Sequence, residues 1–291
     1  MRIGYLGAGL MSVPMIEHLL ADGHAVTVWN RSAAKCDSVA ALGARVATEP
    51  ANACEAGGII MSCLADDAAL EAVFADGRVE AALGAGGIHV SMSTISAACG
   101  TRLAASHAAR GAHYLATPIC GRPEAVRARV QSFLLAGDPG AKARVLPLLQ
   151  ALGRRVFDFG IEPARANVAK INFNFLIASA VEALAEAYAV VEKAGIAPRE
   201  FYDMIIGTAF GCPLYEGYGR ILHQKAWDTP AFKLALGLKD VTLAATTAQA
   251  VGARMRLGEL LLDRFTQAMA HGHADKDWTA VAIDIRAEAG L

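Results

Sequence analysis

The chain has 291 residues, of which 54% are hydrophobic and 19% charged, with a formal net charge of -1. That size allows one large or two ordinary domains with a sizeable core. Near-neutral charge gives no electrostatic reason to expect nucleic acid or an anionic membrane as partner. No basic, apolar and small-residue leader opens the chain, and no stretch of ~18 residues reads as a membrane span. Six scattered cysteines without a CxxC pair read as reduced thiols of a cytoplasmic protein.

In chain order, short apolar runs alternate with helical patterns. "RIGYL" predicts a strand, "SVPMIEHLLADG" a helix, "AVTVW" a strand, and "AAKCDSVAALG" a helix before the short strand "ARVA". "GGIIMSCL" and "GGIHVSMS" are strands separated by "DDAALEAVFA", a helix opening at an Asp cap. A helix over "ISAACGTRLAASHAARG" leads to strands "HYLATPI" and "SFLLAG", the helix "GAKARVLPLLQALG" and the strand "RVFDFG". This alternation predicts βαβ units around a mostly parallel sheet. Beyond Gly160 the strand signal stops, and helical periodicity runs for nearly thirty residues from Ala166 to Gly195. Further helical patterns follow over "PREFYDMIIGTAF", "PAFKLALGLKDVTLAATTAQAVG", "MRLGELLLDRFTQAMAHG" and "DWTAVAIDIRAEA". The predicted fold is α/β, with a Rossmann-like dinucleotide-binding domain over 1–160 and an all-helical domain over 161–291. A helix of about 45 Å exceeds what one small domain covers, so it is expected to build a homodimer or homotetramer interface.

Between the first strand and the first helix stands Gly7-Ala8-Gly9-Leu10-Met11-Ser12. This is GxGxxG with serine at the third position, in the strand–turn–helix context the motif requires. Gly7 permits the tight turn, and Gly9 lets the backbone approach a pyrophosphate at the positive helix end. Ser12 adds only a hydroxymethyl group where the third glycine serves packing, at the cost of a slight helix displacement. The second strand ends in Asn30-Arg31-Ser32 rather than in a carboxylate. No negative charge is there to repel a 2′-phosphate, and the Arg31 fork suits one, with Asn30 and Ser32 as neutral donors. The expected cofactor is NADP, with NADPH preferred over NADH. The alternative is that Arg31 is a solvated loop residue.

Together these residues resemble the β-hydroxyacid dehydrogenase family. The similarity covers essentially the whole chain: "IGYLGAGLMS", "VWNRSAAKCDSVAALGA", "MSTIS", "ATPICGRP", "AKINFN" against the family's K-x-x-N-N, and "LGLKD". The resemblance implies reduction of a small carboxylated aldehyde or ketone, or oxidation of the matching hydroxyacid. It implies Lys170 and Asn174 as the catalytic pair, with Lys170 as general acid/base. Gly7, Gly9, Leu10, Met11, Asn30, Arg31, Ser32, Leu64, Thr94 and Lys239 are expected to touch the cofactor. Ser93, Cys120, Gly121, Arg122 and Lys239 are expected to hold the substrate. Alternatives remain for several of these residues. Lys170 alone could be a helix-face lysine snorkelling to water, and Asn174 a buried polar residue capping a loop. Ser93 and Thr94 could cap the helix at Ala97, Arg122 could face solvent, and Lys239-Asp240 could be an exposed pair of little energetic weight.

The chain departs from the family at two places. Phe173 stands where the family has its first Asn, and Cys120-Gly121-Arg122 replaces Ser-Gly-Gly. A thiol is a weak donor, whereas Arg122 can pair bidentately with a carboxylate. His271 and His273 have no companion ligands in sequence, so no metal is expected. Two competing functions are an imine reductase, in whose group the catalytic lysine is usually missing, and a non-catalytic NADP-binding protein. The Lys170–Asn174 pair weighs against both.

Overall fold

The computed structural model describes residues 1–291. The chain divides into two compact units, Met1–Lys170 and Ile171–Leu291, and the division falls inside the long helix.

The first unit begins β1 (Arg2–Leu6), α1 (Ser12–Ala21), β2 (Ala25–Trp29), a 3₁₀ turn and α2 (Asp37–Ala40), β3 (Arg45–Val46) and β4 (Ile59–Ser62). It continues with α3 (Asp67–Phe74), α4 (Arg78–Leu83), β5 (Ile88–Ser91), α5 (Ala97–Ala108), β6 (His113–Ala116), β7 (Ile119–Cys120) and α6 (Pro123–Arg127). β8 (Ser132–Leu135), α7 (Pro139–Leu152) and β9 (Arg155–Asp158) complete it, and α8 (Pro163–Lys193) carries the chain into the second unit. Six strands form one parallel sheet in the order β3-β2-β1-β4-β5-β6, beside a mixed three-stranded sheet β7-β8-β9. The strands "IIMS" and "IHVS" are buried on both faces, as strands of a parallel sheet covered by helices are. The strand order reverses between β1 and β4. Open α/β sheets bind ligands there, beyond the carboxyl ends of the strands.

Two expectations change in detail. The helix predicted over "AAKCDSVAALG" is a 3₁₀ turn over Ala33–Cys36 followed by the single turn of α2. Only Cys36 and Val39 of this stretch reach the core, so packing holds one turn of helix. Short helices α4 and α6 and strand β7 carry no periodic signal of their own.

A buried polar relay crosses the sheet. The His107 Nδ1 atom lies 2.8 Å from the Leu103 carbonyl, which only accepts, so that nitrogen carries the proton. His107 Nε2 then accepts from His89 Nδ1 at 3.1 Å, and His89 Nε2 accepts from the Ser62 hydroxyl at 2.7 Å. Phe74 stacks on His89 at 4.6 Å. Burial holds both imidazoles below the ordinary histidine range; the neighbouring His107 adds to this for His89, while for His107 the bond to the Leu103 carbonyl and then Glu80 oppose it and Arg110 adds to it. Folded-state values below the unfolded one mean the unfolded chain takes up protons first. The relay's stability is therefore complete above about pH 6.5 and is lost as pH falls below it. In urea unfolding, the drop in midpoint from pH 7 to pH 5 should be larger for wild type than for a His89→Gln/His107→Gln variant. An equal drop would show that the imidazoles do not titrate with unfolding.

The second unit is all-helical. After α8 come α9 (Pro198–Ile206), α10 (Pro213–Gln224), α11 (Leu234–Ala250), α12 (Arg256–Ala270) and, after a 3₁₀ turn, α13 (Val281–Glu288). Its core gathers Val181, Leu184 and Tyr188 of α8 with Val241, Leu261, Phe265 and Trp278. By length and composition α8 is apolar enough to cross a membrane, contrary to the expectation that no stretch reads so. In this fold one of its faces is the wall of that core.

Candidate active site

The dinucleotide end is built at the strand reversal. Gly7 has φ +105°, and a Cβ there would sit 2.5 Å from the Cys63 carbonyl oxygen on the chain leaving β4. Glycine alone fits that left-handed, close-packed position. Gly7 N–H donates to the Trp29 carbonyl at 2.8 Å, tying the loop to the end of β2. Ser12 is fully buried, and its N–H donates to Gly9 O at 3.0 Å, so the serine variant of the motif still starts α1 directly after the loop.

A cavity of about 520 Å³ opens from this loop. Its walls include Gly7, Ala8 and Gly9, the apolar Leu64, Val73 and Val79, and the cations Arg31 and Lys35 with Ser32 between, while Arg78 there is paired with Glu49 and Asp76, which line the cavity too. A Cβ at Gly9 would meet nothing within 4 Å, so the backbone there faces open space. An apolar slot, an open glycine edge and a cationic rim fit an adenine, a pyrophosphate and a ribose phosphate, respectively. The two other loop residues expected at the cofactor, Leu10 and Met11, are not among these walls, and Leu10 is 60% exposed.

Asn30 lines the same cavity and also ties its walls together. Its Oδ1 accepts from Ala8 N–H at 3.1 Å and its Nδ2 donates to the Ser32 carbonyl at 2.8 Å. It clamps the glycine loop to the turn that presents Arg31 and Ser32. Lys35, one helical turn beyond Arg31, was not singled out in sequence; only the fold shows that it faces the same cavity.

At the end of β5, Ser93 is buried and its hydroxyl accepts from Leu64 N–H at 2.8 Å, joining the loops after β4 and β5. The cap of α5 is Ser96, which accepts from Cys99 N–H at 3.0 Å, so neither Ser93 nor Thr94 is spent on capping. Cys120 lies on β7. Burial pushes its thiol up while the Lys170 ammonium pulls it down, which places the two side chains in one neighbourhood. Gly121 packs so closely that a Cβ would come 2.8 Å from Gln131 Cβ. Arg122 precedes α6 with its side chain 28% exposed, and its Nε lies 3.7 Å from the Glu124 carboxylate.

Lys170 is only 7% exposed, so it does not snorkel to water. Three residues earlier Asn167 is buried against α5, where a Cβ on Gly100 would come 2.4 Å from its Oδ1. That contact explains a glycine inside a helix, and the apolar pattern around Lys170 did not point to it.

Four residues on, in the helical unit, Asn174 is 6% exposed and donates from Nδ2 to Asp240 Oδ2 at 2.5 Å. It caps no loop. The other oxygen of Asp240 lies 2.9 Å from Lys239 Nζ. Asp240 is 2% exposed and the Lys239 side chain 21%, so the pair joins a buried carboxylate to a half-buried ammonium and is not the fully exposed pair its sequence neighbours allow. Asp240 was not among the expected site residues. The available signal was an acid inside the apolar run "LGLKDVTL". One carboxylate thus holds an amide and an ammonium, and fixes the Asn174 side chain on the face of α8 one turn from Lys170.

No group of three His, Cys, Asp or Glu side chains has the geometry of a metal site. His271 is instead bound to Asp284, Nδ1 to Oδ1 at 2.8 Å, with His273 Nε2 3.6 Å from the same oxygen.

A parallel sheet with an NAD(P) cradle at its reversal, followed by a helical unit, defines a nicotinamide-dependent dehydrogenase acting on CH–OH groups. The family model described as the NAD binding domain of 6-phosphogluconate dehydrogenase matches residues 2–160. The one described as NAD-binding of NADP-dependent 3-hydroxyisobutyrate dehydrogenase matches residues 164–283. The chain belongs to the β-hydroxyacid dehydrogenase family. It is 38% identical to the uncharacterized oxidoreductase YfjR of Bacillus subtilis over 97% of this chain and 98% of that one. It is 28% identical to glyoxylate/succinic semialdehyde reductase 1 of Arabidopsis thaliana over 97% of each. The crystal structure of a 3-hydroxyisobutyrate dehydrogenase from Salmonella typhimurium superposes with a TM-score of 0.87 at 25% identity, covering 96% of this chain and 98% of that one.

Proposed function

We propose that the chain is an NADPH-dependent reductase that interconverts a small carboxylated aldehyde or ketone and its hydroxyacid. The carrying observation is Lys170: an ammonium buried in an apolar helix, one turn from an asparagine that a buried carboxylate holds in place. When bound, the dinucleotide supplies or accepts the hydride. Lys170 donates the proton to the carbonyl oxygen as negative charge grows there, and its charge stabilises that oxygen beforehand. Asn174, oriented through Asp240, positions the reacting oxygen beside the ammonium. Backbone N–H groups at Cys120-Gly121 and the Arg122 guanidinium take the substrate carboxylate, with arginine compensating for the serine hydroxyl that Cys120 lacks. Arg31 and Ser32 take the 2′-phosphate of NADPH, while Asn30 holds their turn. The scattered cysteines, without a CxxC pair, suit a reducing compartment such as the cytoplasm.

The test is NADPH consumption with a panel of semialdehydes, 2-keto acids and cyclic imines. Turnover of at least one carboxylated carbonyl, and none of the imines, is expected. Turnover confined to imines would replace this reading. No turnover with preserved NADPH binding would make the chain a nucleotide-binding protein without redox chemistry.

A further inference from the structure

Helix α6 (Pro123–Arg127) is little more than one turn, too short to be stable by itself. Its first acceptor is the Arg122 carbonyl, which receives Val126 N–H at 3.2 Å, so Arg122 moves with the helix. The helix ends in a Schellman closure. Val130 N–H donates to the Ala125 carbonyl at 2.9 Å, and Arg129 N–H to the Val126 carbonyl at 3.0 Å. The left-handed position of such a closure is usually glycine, but here it is Arg129, at φ +54°. A side chain strains the backbone there. Glycine would close the same turn without that strain, so what the arginine adds is its guanidinium. That group reaches α1. It bonds both oxygens of Asp22 at 2.8 Å each, and its Nη1 also donates to the Ala151 carbonyl of α7 at 3.0 Å. The Arg129 and Asp22 side chains are 31% and 29% exposed, and a two-pronged pair so covered is stronger than an open surface pair. Its bond from Arg129 holds the Asp22 carboxyl below the ordinary carboxylate range, so the pair is charged at neutral pH. One turn earlier on α1, His18 Nε2 donates to the Val126 carbonyl at 2.9 Å. Since α1 starts directly after the glycine loop, one helix carries the dinucleotide edge at its start and this clamp at its end.

We propose that Arg129 is a positioning residue for substrate binding: through Asp22 and α1 it fixes the direction of α6, and through α6 that of the Arg122 guanidinium toward the substrate carboxylate. The inference rests on the assignment of that carboxylate to Arg122 under the proposed function. Packing fixes the loop one residue earlier, where a Cβ on Gly121 would come 2.8 Å from Gln131 Cβ and 3.3 Å from Ala125 Cβ. Arg122 stands past that contact, at the position from which α6 starts. Two-pronged recognition of a carboxylate tolerates little angular error, so a loosened α6 weakens it. The effect falls on binding and not on proton transfer, because α6 bears Arg122 while Lys170 stands on α8.

The experiment compares Arg122→Ala, Arg129→Gly, Asp22→Asn and the double variant Arg122→Ala/Arg129→Gly in steady-state kinetics, on the carboxylated carbonyl of the panel above that turns over fastest. Arg129→Gly keeps the left-handed turn without its strain, so its thermal unfolding midpoint should stay close to that of wild type. Asp22→Asn breaks the clamp without touching the turn and is read the same way. KM should rise about tenfold in Arg122→Ala and in Arg129→Gly and about threefold or more in Asp22→Asn, as loss of a charge-assisted contact does. Values of kcat should stay within about threefold and the NADPH Kd within about twofold, the mark of lost substrate binding. The double variant should be no worse than Arg122→Ala alone, because the clamp acts through that residue. A raised KM in Arg122→Ala beside wild-type KM in Arg129→Gly and Asp22→Asn overturns this inference alone. So do effects that multiply in the double variant, or a loss that falls on kcat. An unchanged KM in Arg122→Ala overturns the carboxylate assignment and this inference with it.

Discussion

Replacing Lys170 by alanine should lower kcat on the best carbonyl substrate by roughly 10²–10⁴-fold, the usual worth of a positioned general acid. Loss of the buried positive charge next to a developing alkoxide adds to this. NADPH affinity should stay within about twofold, because the cationic rim and the glycine edge lie elsewhere, on the β1–α1 loop and the end of β2. Lys170→Arg should be nearly as inactive, since a guanidinium holds its proton too tightly to give it up. The reading is made by steady-state kinetics for kcat and by fluorescence titration for NADPH. If Lys170→Ala keeps more than about a tenth of wild-type kcat, the loss is below ~1.4 kcal/mol and the acid lies elsewhere. Lys239, 2.9 Å from Asp240, is the next candidate.

The second large effect is expected at Arg31. Arg31→Ala should weaken NADPH binding by about tenfold or more, as removal of a charge-assisted contact to phosphate does. NADH, lacking that phosphate, should bind within about twofold of wild type. Asn30→Ala should behave otherwise. It removes the clamp between Ala8 N–H and the Ser32 carbonyl, so both cofactors should suffer together. Isothermal titration with the two dinucleotides separates the cases. Equal losses in Arg31→Ala would remove the 2′-phosphate assignment.

The parts of this molecule that were legible in its sequence are those written at short range. Alternation of apolar runs and helical patterns marked the parallel sheet, and the glycine turn marked its binding edge. The loss of strand signal beyond Gly160 marked the helical part, and Lys170 and Asn174 share a face by their spacing alone. What escaped depends on distant partners. Asp240 meets Asn174 across 66 positions of chain, which no local periodicity encodes. The imidazole relay joins residues 18 and 27 apart whose individual patterns are those of a strand and a helix. The spacing of Asn30 from the strand end places it at the cavity, but its bond from Ala8 on the neighbouring loop is not written there. Helix α10 was missed because glycines at 217 and 219 interrupt its apolar pattern, although Tyr218 and Leu222 are buried beneath it.

Gly7 and Gly9 are the same residue two positions apart, but different masters hold them. At position 7 the chain's own backbone at Cys63 leaves no room for a Cβ. At position 9 an added Cβ would meet nothing within 4 Å. Natural selection for a stable fold therefore polices the first whatever the molecule does for a living. The second is policed only for as long as a dinucleotide is used. In a lineage that kept the scaffold and abandoned the cofactor, position 9 is free to drift first, while position 7 remains glycine as a record of architecture and not of chemistry.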